Sequence, residues 1–179
     1  MRCFLRTLAG LLILLIVVFV ALYALAPAEV RVERSIVIDA PPEAIFPKVN
    51  DLKAWRTWSP WMLREPDMKS TYSGPETGLG AKTSWESETQ GSGSQVITES
   101  VPNERIATAL DFGGMGTATS DWSFAAEGDG TKVTWGMNTG PSKNPISRLF
   151  NLMMDKMVGP DYESGLANLK KEVEASKGG

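Results

Sequence analysis

The segment from Val30 to Trp61, VRVERSIVIDAPPEAIFPKVNDLKAWRTWSPW, constrains the fold most, because it joins a strand pattern directly to a helix that starts at prolines. Apolar and polar residues alternate along its first part, so that one face carries Val30, Val32, Ile36 and Ile38. Arg34 is the polar exception on that face. The pattern predicts a strand with one buried side.

Prolines then delimit two short helices. Pro41 and Pro42 suit a first helical turn, where their missing N–H groups would have no partner in any case. Pro47 removes a further donor, so we expect this helix to end near Val49 and a second short helix to run from Leu52 to about Thr57.

An uncharged run from Leu8 to Ala26, LAGLLILLIVVFVALYALA, precedes this segment. As a helix it would span about 28 Å, close to the ~30 Å hydrocarbon core of a bilayer. We therefore expect residues 1–28 to form a cytoplasmic N-terminus and a single transmembrane anchor, and residues 29–179 to form one domain. Arg2 and Arg6 precede the run and charges of mixed sign follow it, so the positive-inside rule predicts an inner-membrane protein with a periplasmic domain.

The alternative for this run is a cleaved signal peptide. The run is longer than the ~7–15 residues of a signal core, and Pro27 directly follows the small-residue site Ala24-Leu25-Ala26. Ala26-Pro27-Ala28 nevertheless offers a second site of that kind.

Charge argues against nucleic acid as a partner. Without Arg2 and Arg6, 16 of the 18 basic residues remain against 21 acidic ones, so the domain has a net charge of −5. No basic run is present to bind phosphates. Cys3 is the only cysteine, so no intramolecular disulfide can form.

After Trp61 the chain reads as a series of strands divided by turns. Alternation is clear around residues 81–86, 105–112, 118–124 and 133–137, and weaker strands are expected near residues 70–73 and 95–101. Short glycine-rich connections predict antiparallel pairing, in about seven strands overall. The last segment changes to helical spacing, first through Ile146, Leu149, Phe150, Met153 and Met157, and then through Tyr162, Leu166, Leu169 and Val173. It predicts one kinked helix, or two in line, lying across the sheet.

This order resembles the helix-grip fold of the SRPBCC (START/Bet v 1-like) superfamily, in its polyketide cyclase/dehydrase-like branch of small bacterial proteins. The resemblance is carried by ERSIVIDAPPEAIF (33–46), NDLKAWRTWSPW (50–61), ITESVPNERI (97–106), TKVTWGM (131–137) and GPDYESGLANLKKEVE (159–174). It implies an α+β domain with an apolar cavity between a curved antiparallel sheet and a long C-terminal helix. The superfamily includes lipid carriers, ring-ligand and quinone binders, chaperone activators and a minority of enzymes, so it does not fix the function.

Histidine is absent, which removes the commonest general base, the usual metal ligand and the nucleophile pairs that depend on it. We predict no catalytic residue, metal or cofactor. The cavity candidates are instead apolar residues on the inner strand faces and the facing helix: Trp85, Leu110, Phe112, Trp122, Phe124, Trp135, Met137, Phe150, Met153 and Met157. Polar candidates to orient a ligand head group are Arg34, Thr83, Thr108 and Ser120. Alternatively, each of these residues belongs to an ordinary packed core and lines no cavity.

Trp55, Trp58 and Trp61 lie at three-residue spacing. We expect them to pack the short helices on the rim of the sheet; the alternative is a cavity mouth or a contact with the membrane interface.

The leading hypothesis is a membrane-anchored, non-enzymatic module that binds a hydrophobic small molecule, such as a lipid, a quinone or a polyketide-like compound. One alternative is a cyclase or dehydratase that uses Arg34, Tyr72 or Tyr162 to handle protons. Another is a protein-interaction module with a filled core. The oligomeric state stays open.

Overall fold

The computed structural model describes residues 2–142 and 144–176, and for residues 2, 3 and 5 it describes the backbone alone. The side chain of Cys3 therefore lies outside the described part. The helices are α1 (Arg2–Leu25), α2 (Pro42–Asn50), α3 (Pro60–Arg64), α4 (Pro145–Asn151) and α5 (Met154–Ala175). The strands are β1 (Arg31–Ile38), β2 (Lys69–Ser73), β3 (Lys82–Glu86), β4 (Gly93–Val101), β5 (Arg105–Asp111), β6 (Thr117–Glu127) and β7 (Gly130–Thr139).

Within the described residues, the seven strands form one antiparallel sheet in the order β1-β7-β6-β5-β4-β3-β2. This confirms the predicted α+β helix-grip architecture. The two short helices after β1 also occur, as α2 and a 3₁₀ turn at Ala54–Thr57. Alternation placed the strand residues on the correct faces: Trp135 is paired with Arg34 on one side and with Trp122 on the other, all on the face that α5 covers. We call this the inner face.

Helix α5 lies over the β1 side of the inner face. Its buried residues are Gly159, Tyr162, Gly165, Leu166, Leu169 and Val173. Gly165 permits a close approach to the sheet, since a Cβ atom there would lie 2.8 Å from Cζ3 of Trp135. Only a residue without a side chain allows helix and indole ring to come this close.

Two of the first three tryptophans, Trp55 and Trp58, lie in the core and not on the rim of the sheet, where the sequence predicts them, whereas Trp61 is half-buried. Trp58 is fully buried and Trp55 nearly so, and their rings lie 5.7–6.0 Å from those of Trp122 and Trp135. Each indole N–H finds a backbone acceptor, because Trp55 donates to the carbonyl of Val49 at 2.9 Å and Trp58 to that of Lys48 at 3.1 Å. With both N–H groups satisfied, these rings can occupy the middle of the core.

The apolar stripe of the C-terminal segment also lies elsewhere than predicted. Phe150, Met153 and Met157 are half exposed, whereas Met154 and Val158 pack against the core. The helical spacing of the sequence falls into one run that ends at Met157 and another that starts at Tyr162, but α5 continues through Gly159 and Pro160 between them. Its buried face therefore continues in one phase back to Met154, and the stripe at 153 and 157 is rotated from it by about 100°.

Helix α1 is long and apolar enough to cross a membrane, over Arg6–Leu25, although a signal sequence would share these properties. Its C-terminal end is tied to the domain. The backbone N–H of Ser142 donates to the carbonyl of Ala28 at 2.9 Å, and that of Thr139 to the carbonyl of Val30 at 3.0 Å. The sheet end that carries Arg31 and Thr139 is called the α1 end below.

Candidate functional site

The inner face divides into two halves. In the half away from the α1 end, the space beneath the helices is filled by Ile38, Phe46, Trp55, Trp58, Trp122, Phe124, Val133 and Trp135. Of the predicted cavity residues, Trp122, Phe124 and Trp135 thus lie in tightly packed core, with Trp122 and Trp135 stacked at 4.3 Å between ring centroids. The half nearer the α1 end has a different composition.

There a group of four short or neutral polar side chains crosses the sheet, and we call it the polar row: Thr83, Gln95, Thr108 and Ser120. They form two cross-strand pairs, Thr83 with Gln95 and Thr108 with Ser120, and the second pair lies diagonally to the first because Gln95 is opposite Leu110. All four are buried. Three of them are among the site residues predicted from the sequence; Gln95 is not, although its alternation with Ile97 places it on the same face.

Two members of the polar row lack a hydrogen-bond partner among the described residues. The hydroxyl groups of Thr83 and Thr108 make no hydrogen bond, although the residues are only 2% and 1% exposed. Ser120 differs, since its hydroxyl donates to the carbonyl of Gly136 at 2.8 Å and accepts from Nε1 of Trp135 at 3.0 Å. A buried hydroxyl without a partner costs about 1–3 kcal/mol, so two such groups on the same face of the sheet need an explanation.

Apolar side chains surround the polar row. Leu110 near the end of β5 and Phe112 just after it are half-buried, and Met137 is buried on β7. Trp85 is half-buried and lies over Gly93, where an added Cβ atom would meet its ring at 2.6 Å, and its ring contacts that of Phe112 edge-on at 6.2 Å. Together these residues form an apolar surface around neutral hydrogen-bonding groups, which is the usual composition of a small-molecule site.

The loop between β3 and β4 is held against α3 beside this surface. The carboxylate of Glu65 accepts hydrogen bonds from Ser87, Thr89 and Gln90, and these bonds lower the pKa of Glu65. Gln90 also donates to the carbonyl of Trp61 at 3.1 Å. A charged carboxylate therefore fixes the loop at neutral pH.

Arg34 does not belong to the polar row. Its guanidinium pairs with Asp155 at 2.9 Å and with Glu163 at 2.6 Å, both on α5. The hydrogen bonds with these carboxylates raise the pKa of Arg34, and the bond from Arg34 lowers that of Asp155. Arg34 thus ties α5 to β1, and these contacts use the donors that a ligand head group would need.

Of the two tyrosines named for proton handling, Tyr162 is buried and stacks on Trp135 with ring centroids 3.9 Å apart. Burial raises the pKa of the Tyr162 phenol, so this group stays protonated at neutral pH. Tyr72 is half-buried opposite Thr83, and its hydroxyl accepts from Nε of Arg56 at 3.3 Å.

Two concavities lie outside the part of the inner face that carries the polar row. A groove of about 600 Å³ follows the outer face of the sheet along Lys82, Val96, Ala109, Thr119 and Asn138, which are successive partners across five strands. A pocket of about 90 Å³ lies between Leu52 and the β2–β3 connection.

Comparison with known proteins places the fold and family. The family model described as polyketide cyclase / dehydrase and lipid transport matches residues 29–174. The chain therefore belongs to this family, a branch of the SRPBCC superfamily. No curated protein matches the chain.

Among solved structures, the di-domain ARO/CYC StfQ from the steffimycin biosynthetic pathway is similar, with 10% identity and a TM-score of 0.66 over 84% of this chain and 52% of that chain. A protein of unknown function from Staphylococcus aureus is 11% identical, with a TM-score of 0.64 over 84% and 97% of the two chains. A protein from Rhizobium leguminosarum is 18% identical, with a TM-score of 0.60 over 82% and 95%. Similarity at this level of identity establishes the fold alone.

Proposed function

We propose that the protein is a membrane-anchored module that binds a hydrophobic small molecule, such as a lipid, a quinone or a polyketide-like compound, without transforming it. The proposed site is the half of the inner face nearer the α1 end. The observation that carries the proposal is the pair of buried, unpartnered hydroxyls of Thr83 and Thr108 within an apolar surface. Separate polar atoms on an otherwise apolar ligand, one near each hydroxyl, would supply the missing hydrogen bonds.

The anchor is part of the same proposal. Residues 1–28 would hold the N-terminus in the cytoplasm and span the inner membrane, and residues 29–179 would form the periplasmic binding domain. The length and apolar character of α1 support a span, and Arg2 and Arg6 on its N-terminal side support the orientation. The family description, which includes lipid transport, is compatible with a ligand drawn from the membrane.

A cyclase-type activity at the same place would need a group that exchanges protons near neutral pH. The polar row offers neutral side chains, and the Tyr162 phenol is stacked on Trp135. Tyr72 is the phenol at the edge of the row. If a bound candidate substrate is converted by the protein and Tyr72→Phe abolishes that conversion without weakening binding, the enzymatic alternative replaces our proposal.

The binding proposal is tested with the full chain in lipid nanodiscs, by native mass spectrometry for a co-purified small molecule and by displacement of a fluorescent lipid analogue. We expect the double variant Thr83→Val/Thr108→Val to bind the analogue on the order of tenfold more weakly, since two hydrogen bonds are lost. Thr131→Val is the matched control: this threonine is equally buried, but its hydroxyl donates to the carbonyl of Ala40 at 2.7 Å.

Two results would count against the proposal. In one, the protein carries no small molecule and the analogue does not bind. In the other, the analogue binds with equal affinity to the wild type and the double variant, which would place the ligand elsewhere.

A further inference from the structure

Four large apolar side chains lie exposed along one side of α4 and the first turn of α5. They are Ile146, Phe150, Met153 and Met157, and each is between 50% and 66% exposed. We call them the exposed stripe. Their spacing of four, three and four residues is that of a helix face normally covered by another element. Large contiguous apolar patches are uncommon on soluble surfaces and usually mark a contact with another molecule or a membrane.

The other side of α4 is fixed to the point where α1 ends. Nε of Arg148 donates to the carbonyl of Ala26 at 2.9 Å, and its guanidinium lies 4.5 Å above the ring of Tyr23. Asn151, which is buried, donates from Nδ2 to the carbonyl of Pro27 at 3.0 Å. Both carbonyls belong to residues after the end of α1, so they accept no hydrogen bond within that helix and are free to accept one from α4.

These bonds set the depth of α4 relative to α1. The apolar run ends at Ala26, so with α1 across a bilayer the carbonyls of Ala26 and Pro27 lie at the boundary of the hydrocarbon core. The interfacial layer on each side is about 5–8 Å thick, and a helix with side chains has a radius of about 5–6 Å. A helix bound to these carbonyls therefore lies partly in that layer or directly against it.

We propose that α4 and the first turn of α5 form an interfacial membrane contact, in which the exposed stripe inserts among the lipids around the end of α1. The inference rests on the proposed anchor. A membrane contact explains why α4, which is bound to the end of α1, carries large apolar side chains that point away from the protein. Interfacial helices have this composition, with an apolar face in the lipid and polar groups on the other side.

The proposed membrane contact also affects how a ligand would reach the site. Strands β3 to β7 have their α1 ends on the same side as α4, and the surface around the polar row lies in that half of the sheet. The membrane contact would hold the proposed binding site next to the bilayer. A lipid-soluble molecule could then pass between the membrane and the site over a short path.

The test uses the full chain with Cys3→Ser in vesicles of phosphatidylcholine that contain nitroxide-labelled lipids. An environment-sensitive fluorophore is attached to one introduced cysteine, Met153→Cys or Phe150→Cys in the stripe. Glu127→Cys, at the exposed last residue of β6 at the opposite end of the sheet, is the control for a position remote from the membrane. Leu25→Cys, at the end of α1, reports whether the anchor itself is inserted. Near-ultraviolet circular dichroism verifies that each labelled protein keeps its fold.

We expect labels at positions 25, 150 and 153 to be blue-shifted and quenched by shallow nitroxides several-fold more than the label at position 127. Quenching at position 25 with none at 150 and 153 would refute the membrane contact and leave the anchor intact. Absence of quenching at position 25 would refute the anchor, and the contact with it. A blue shift at 150 and 153 that grows with the protein-to-lipid ratio without nitroxide quenching would show that a second copy covers the stripe.

Discussion

Three buried threonines of the sheet differ in whether their hydroxyls are used. Thr131 donates to Ala40, whereas Thr83 and Thr108 have no partner among the described residues. Valine has nearly the same shape as threonine but no hydroxyl to desolvate. Without ligand, Thr83→Val and Thr108→Val should each raise the free energy of unfolding by about 1–2 kcal/mol, and Thr131→Val should lower it by a similar amount.

Urea unfolding of the full chain in detergent, followed by tryptophan fluorescence, measures all three variants under one condition. If Thr83→Val and Thr108→Val destabilise the ligand-free protein as Thr131→Val does, their hydroxyls have partners and the argument for a ligand at the polar row fails.

Prediction from the sequence placed individual residues correctly where the local pattern alone decides which way a side chain faces. A strand residue has two possible faces, so alternation alone placed Thr83, Thr108 and Ser120 on the inner side. The tryptophans were harder, because the direction in which a short helix points depends on its distant contacts. Trp55 and Trp58 reach the core centre because carbonyls of α2 accept their indole N–H groups, and nothing in the local sequence specifies these bonds.

At the scale of elements, the order and type of helices and strands followed from periodicity and prolines, but the phase of α5 did not. Pro160 suggested a division because proline removes a helical hydrogen bond. In the structure it lies on the exposed side of α5, where water can bind the carbonyl that loses its donor. Continuing the period of Tyr162, Leu166 and Leu169 backwards would have placed Met154 inside and Met153 outside.

The attachment of α5 to β1 should depend on pH. The hydrogen bond from Arg34 lowers the pKa of Asp155, so the folded state binds this proton less readily than the unfolded chain does. The stabilisation by this ion pair is complete above the pKa of about 4 that an aspartate has in the unfolded chain. It is lost as the pH falls through the lower pKa of Asp155 in the folded protein. Arg34→Gln should therefore lower stability at pH 5 and reduce the further loss between pH 5 and pH 3.

Urea midpoints at the two pH values give this difference. Arg56→Gln is the matched control, since Arg56 donates to the Tyr72 hydroxyl and the Pro66 carbonyl rather than to a carboxylate. Its pH dependence should parallel that of the wild type. A parallel profile for Arg34→Gln as well would mean that the pairing with Asp155 does not contribute to stability.

At the scale of the whole molecule, charge and apolar contact act in opposite directions. Residues 29–179 carry 16 basic and 21 acidic residues, so an anionic bilayer would repel a domain that the proposed anchor holds beside it. Contact with the exposed stripe then depends on apolar burial and not on charge. Repulsion is strongest at low salt, because the Debye length falls from about 30 Å at 0.01 M to about 8 Å at 0.15 M ionic strength.

Nitroxide quenching of a label at position 153 should therefore increase with ionic strength in vesicles that contain anionic lipid, and should stay constant in purely zwitterionic vesicles. Proteins that bind membranes through basic patches show the opposite dependence on salt, since salt weakens their attraction to anionic lipid. A decrease of quenching with salt would mean that local positive charge near α4 outweighs the acidic domain. An increase would show that the anchor and the stripe together overcome a repulsion that would keep the free domain away from such a surface.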